Sequence, residues 1–216
     1  FGESTNNMFE LTEIKKRGEL KKFLSPNRTS LVSPNDRIFK RICLRYQLQD
    51  EDGYTNDPDR GISFDSQENF ENLVKFEAFN PIHNDYYNSS FVSVYIETLT
   101  YLNNDGKKIV KSVTEKTWNP LLKGHFILPF GYCGLVETIR EYGFILPDWI
   151  DYRYDSIEDD RERFDRYIFC VTKLLKLTTN DLNILFERDL WILESNRRLF
   201  FDKPLDNLYN KIVKKV

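Results

Sequence analysis

The sequence predicts an α/β layer protein: a partly parallel sheet with helices on both faces and a helical C-terminal end. Three observations carry this. Short β-branched and aromatic runs recur through the middle of the chain, amphipathic stretches at helical spacing separate them, and capped helical periods fill the last third. At 216 residues, 40% apolar and 30% charged, the chain can bury a core and is neither a disordered nor a fibrous segment.

The elements follow in order. Residues 8–23 read as a loose helix or arm interrupted by Gly18, and Leu24 to Arg28 as a strand end and loop. Two Ser-Pro-Asn steps mark turns, and Asp36 caps a helix bearing Ile38, Ile42 and Leu44 or Leu48. Gln49 to Asn88 is rich in Asp, Asn, Gly and Tyr and reads as a surface insertion. FVSVYIETLTYL, residues 91–102, nearly alternates and predicts a strand; the turn Asn103 to Gly106 returns it as a second short strand, Lys108 to Val113. Asn119 and Pro120 predict the cap and first residue of a helix ending at Gly124. HFILPF, residues 125–130, predicts a buried parallel strand. Gly134 to Tyr142 is an amphipathic helix closed by Gly143, and Phe144-Ile145-Leu146 begins another strand. Ser156 with Asp159 and Thr178 with Asp181 form capping-box patterns, and Asp202 caps a final helix with Leu205, Leu208 and Ile212 as its stripe.

Composition excludes several functions. A net charge of −3 provides no field for gathering phosphate polymers, so nucleic acid is not an expected partner. Cys43, Cys133 and Cys170 are odd in number and set in apolar surroundings, as for reduced thiols in the cytoplasm. Two histidines make a His-rich metal site poor chemistry here. No run of about 18 apolar residues predicts a membrane span, and no charged-then-apolar leader opens the chain. Beginning at Phe1, the sequence reads as a trimmed or internal piece.

The densest polar cluster is Lys111 to Pro120, where a strand gives way to a helix. In open α/β sheets that edge binds ligands, and a helix N-terminus there offers free N–H groups to a phosphate. Lys116 adds a point charge, and Glu115 can accept two hydrogen bonds from a ribose diol; the alternative is a solvated pair at a helix start. Glu97 shares one face of its strand with Ser93, Tyr95 and Leu99, and lies either on a solvent face or in a cleft. His125 opens an apolar strand, as a general base or as a satisfied core residue. Asp155, Glu158, Asp159 and Asp160 read as helix-start acids rather than metal ligands. Tyr86, Tyr87 and Trp118 could stack on a sugar or base. The Gly-rich phosphate loop, the Gly-x-Ser-x-Gly elbow and the Cys-x-x-Cys pair are all missing from the sequence.

SFVSVYIET, VTEKTWNPLLKGHFILPFG, GLVETIREYGF and DSIEDDRERFDRY, between Ser90 and Asn196, resemble the donor-binding half of two-Rossmann-domain (GT-B type) glycosyltransferases, fucosyltransferase-like and of bacterial or phage kind. The resemblance implies a Rossmann-like domain over residues 90–216 and a reduced or partial acceptor domain over 1–89. It places Thr114, Glu115 and Lys116 on a nucleoside-diphosphate sugar, such as a GDP- or UDP-sugar, with Glu115 on the ribose and Lys116 on the diphosphate. FLSPNRTSLVSPNDR resembles the same group's Asn-Arg loop, which makes Arg28, and then Arg37, the neutraliser of the leaving diphosphate. Glu97 becomes ligand-facing, and Arg28, Glu97 and His125 are the catalytic candidates. The implied reaction moves the sugar to an acceptor hydroxyl, on a carbohydrate or another molecule, with cations in place of a metal and no further cofactor. Two alternatives stand beside it: a catalytically silent interaction protein of the same fold, using residues 49–88 on a partner, and a transferase modifying phage or host nucleic acid.

Overall fold

The computed structural model describes residues 21–25, 44, 48, 53–55, 87, 89–97 and 113–202. Four strands form one sheet: β1 (Lys21–Ser25), β2 (Gly53–Thr55), β3 (Ser90–Ile96) and β4 (Phe126–Phe130), in the order β2-β1-β3-β4. All three pairings are parallel, with Phe23 opposite Val92 and Val92 opposite Phe126, so the described sheet is wholly parallel. β1 and β2 come from the segment before residue 90, so the sheet runs across the expected division at residues 89 and 90. Residues 108–112 of the expected second strand and the final helix after Asp202 lie outside the described residues, and Val113 is not in a strand.

Alternation along the central strands decides what covers each face. Val92, Val94 and Ile96 of β3 join Phe126, Leu128 and Phe130 of β4 on one side. They are covered by α3 (Asp160–Leu175) and α4 (Thr179–Arg188) through Phe164, Tyr167, Val171, Leu182 and Phe186. Tyr95 and Ile127 face the other side, under α1 (Glu115–Leu122) and α2 (Leu135–Glu141) through Leu121, Leu135 and Ile139. α5 (Leu190–Asp202) packs against α1, with Leu199 against the second cluster. The chain is an α/β protein of Rossmann-like build, with a helical C-terminal end and helices on both faces of a parallel sheet.

β4 is an edge of the described sheet, and its outward groups are provided for. Pro129 lacks an N–H where no neighbour needs one. The outward carbonyls of Ile127 and Pro129 accept from the hydroxyls of Tyr152 (2.8 Å) and Tyr154. These tyrosines bring a short 3₁₀ turn, Arg153–Ser156, against the strand and cover its edge.

Two expected starts and three other readings are corrected. Lys21 to Phe23, read as the end of a loose helix or arm, begin β1. Gly53–Thr55, read within a surface insertion, is a strand of the sheet. The expected strand at Phe144 is not formed. α1 begins at Glu115 with Thr114 as its cap, so Asn119 and Pro120 lie inside it. α3 is capped by Asp159, whose carboxylate accepts from the Glu162 amide at 2.8 Å, while Ser156 closes the 3₁₀ turn on Arg153. Phe144 to Leu146 forms no strand, because the amide side chain of Asn196 bonds both backbone groups of Ile145 at 2.8 Å and stands in for a neighbouring strand. The Thr178 and Asp181 capping box is formed as read.

Candidate functional site

At the carboxyl end of β3 the ladder runs one step past the strand, with the Glu97 amide donating to the Phe130 carbonyl at 2.7 Å. The Glu97 side chain is fully buried. Its Oε1 accepts from the Thr114 amide (3.1 Å) and the Thr117 hydroxyl (2.6 Å), and its Oε2 from the Thr114 hydroxyl (2.5 Å). Thr117 in turn accepts from the Tyr95 hydroxyl at 2.8 Å, so a chain of donors runs Tyr95, Thr117, Glu97. Burial, and then the Glu97 charge, pushes the Tyr95 phenol well above its ordinary value, which keeps it a donor. The carboxylate lies at the start of α1, where a negative charge meets the positive end of the helix.

The structure thus brings Glu97 and Thr114 together. Lys116 sits half-buried in the first turn, its amide bonded to the Thr114 hydroxyl at 3.4 Å. Glu115 is described by its backbone alone, as the first residue of α1. Arg28 and Arg37 lie outside the described residues.

His125 stands elsewhere. It precedes β4 at the amino edge, six positions before the level of Glu97, a separation on the order of 20 Å along the strand. Its Nε2 donates to the Tyr87 carbonyl at 2.5 Å and its Nδ1 meets the Ser93 hydroxyl at 3.0 Å. A carbonyl only accepts, so the proton is on Nε2, and in the neutral ring Nδ1 accepts from Ser93. This buried ring joins β3 to β4 and does not share a reacting centre with Glu97.

The strand order locates a reversal of winding. The chain goes from β1 outward to β2, then returns past β1 to β3 and continues to β4. Winding therefore reverses between β1 and β3, and in open parallel sheets ligands enter outside the carboxyl ends at such a reversal. Ser25 ends one flanking strand and Glu97 follows the other; Arg28 comes three positions after Ser25 in sequence.

A concavity lies past the carboxyl end of β4. This cleft of about 1050 Å³ is bounded by Cys133 and Gly134 before α2, by residues 146–153, by the 3₁₀ turn and by Lys173 of α3. Its buried carboxylate is Asp155, 6% exposed, whose Oδ2 accepts from the amides of Val136 (2.9 Å) and Glu137 (3.4 Å). Burial pushes the Asp155 carboxyl up to about 6, while those amides and Arg163 pull the other way. Asp151 is held well below the ordinary carboxylate range by Arg153, which grips it at 2.7 and 2.8 Å. Asp155 is a helix-start acid as read, but it serves α2 and not the helix that follows it, and its burial is what reading the sequence missed. The alternation Asp151-Tyr152-Arg153-Tyr154-Asp155 is the signal that could have found it, since alternate positions bury the tyrosines on β4.

Fold and edge together define a doubly wound parallel α/β protein whose winding reverses between β1 and β3. No family model, curated protein or solved structure matches the chain. Among the described residues, no helix is long and apolar enough to cross a membrane.

Proposed function

We propose that the chain is the donor-binding part of a glycosyltransferase, taking a nucleoside-diphosphate sugar in the crevice between β1 and β3. One observation carries the reading: winding reverses between the strand that precedes Arg28 and the strand that delivers Glu97 to α1. Lys116 and Arg28 neutralise the departing diphosphate, Arg37 assists, and Glu115 takes the ribose diol. Glu97 is a positioning residue in this reading, since its carboxylate fixes Thr114 and Thr117 and with them the first turn of α1.

A second reading is favoured by the same carboxylate. Glu97 already supplies the negative charge at the start of α1, and it opposes a diphosphate brought to the same amides. On that ground the chain is a silent interaction protein of the same fold.

Thermal denaturation with GDP, UDP and their sugar conjugates separates the two. A ligand of the native state at 100 times its Kd adds about 2.7 kcal/mol of stability. The enzyme reading expects a raised melting temperature with one nucleotide, lost in Lys116→Ala; no response to any of them leaves the interaction protein.

A further inference from the structure

We propose that the cleft beside β4 is a separate binding site for a small organic cation carrying a single ring. Beside the cleft, and sharing Trp149 and Ile150 with it, is a side pocket of about 180 Å³ also lined by Cys170, Leu174 and Leu177. Asp151 and Lys173 border both spaces. A dry cavity of roughly 150 Å³ is enough to hold a benzene ring. The side pocket therefore has room for one six-membered ring, and a polar substituent on that ring would point into the larger space.

The charge of that larger space selects the substituent. Five carboxylates and three cations line it. Asp151 is taken by Arg153 at 2.7 Å, Asp148 by Arg188 at 2.7 Å from outside the lining, and Glu137 lies 3.5 Å from Arg140. The third cation, the Lys173 ammonium, rests over the exposed Phe169 ring, 4.7 Å from its centroid. With Arg188 counted, five carboxylates meet four cations and one negative charge is left over, with Asp155 the deepest carboxylate. Such a wall attracts an ammonium group and repels a phosphate or carboxylate. The ligand class thus differs from the nucleotide assigned to the β1–β3 crevice.

Three probes on the isotopically labelled whole chain test this by nuclear magnetic resonance: benzylamine, ethylamine without the ring, and benzoate with the opposite charge. Benzylamine is expected to shift the amides of residues 149–151 and 174–177, with a Kd about tenfold or more below those of the other two. Leu177→Trp, at the rim of the side pocket just past α3, should remove the advantage of the ring while ethylamine binding is unchanged. If that variant does not fold, Cys170→Met supplies the same filling. Equal binding of benzylamine and ethylamine, tighter binding of benzoate, shifts confined to other residues, or no response to any probe would each overturn the proposal.

Discussion

Glu97 and Asp155 are two buried carboxylates that serve helix starts at the same edge of one sheet, yet they are held by different means. Glu97 is met by two hydroxyls and one amide from residues 17 and 20 positions away. Asp155 is met at Oδ2 by two amides of α2, and its charge carries a burial cost that those amides do not cancel. Hydroxyl donors can turn to suit an acceptor, whereas amides are fixed by the helix they belong to. The first site is a satisfied joint, and the second holds a carboxylate whose charge is disfavoured by its surroundings.

The sharpest way to break this comparison is to remove the better-satisfied acid. Glu97→Leu leaves two hydroxyls and an amide without their acceptor and frees the start of α1, at a cost of about 3–5 kcal/mol. Glu97→Gln keeps one acceptor oxygen and should lose about 1–2 kcal/mol. Urea denaturation measures both; a Leu variant as stable as the parent would show that the network contributes nothing.

Asp155 should behave differently, and its signature is the dependence on pH. Its folded value, about 6, lies above the ordinary 3.8, so the folded state holds the proton more tightly than the unfolded chain does. The stability it contributes is full below pH 3.8 and is lost as pH rises to about 6. At about 1.4 kcal/mol per pH unit in that window, the loss comes to about 3 kcal/mol. Asp155→Asn keeps an acceptor for the Val136 amide and removes the titration. The difference between variant and parent should therefore swing in favour of the variant as pH rises from 4 to 6, and a constant difference across that range would count against this account.

How much of this was legible follows from where each partner sits in the chain. β4, α2 and the cap of α4 were readable because their signals are local: an apolar run between glycines, one amphipathic period, and a Thr and Asp three positions apart. The start of α1 was misread because Asn119-Pro120 is a strong local signal, and it was overridden by Glu97, which lies 17 residues before the Thr114 cap. Ile145 was misread as a strand because its partner is an amide side chain 51 residues later. The β4-side cleft was invisible for the same reason, since tyrosine hydroxyls 25 residues downstream tie its wall to β4.

His125 tests a smaller effect and the geometry at once. His125→Leu leaves the Tyr87 carbonyl and the Ser93 hydroxyl without their ring partner inside the core, which should cost about 2 kcal/mol. Because it stands at the amino edge, the variant should keep any nucleotide-induced rise in melting temperature seen in the parent. A variant of normal stability that lost this rise would return His125 to the site.

The smallest effect comes from the cap the sequence announced most plainly. At the start of α4 the Thr178 hydroxyl accepts from the Asp181 amide (3.1 Å) and donates to its carboxylate (2.7 Å). Thr178→Ala should cost about 1 kcal/mol near neutral pH, as other N-cap truncations do. The Thr178 hydroxyl, and then the Thr178 amide, donate to the Asp181 carboxylate and hold it below its ordinary value, the reverse of Asp155, so what it contributes is present above pH 3.8 and lost as pH falls through the lowered value. The cost of Thr178→Ala should therefore shrink on acidification below pH 3.8, beneath the range in which the benefit of Asp155→Asn fades. A cost independent of pH would mean that the hydroxyl's bond to the backbone, and not its bond to the acid, is what stabilises the helix start.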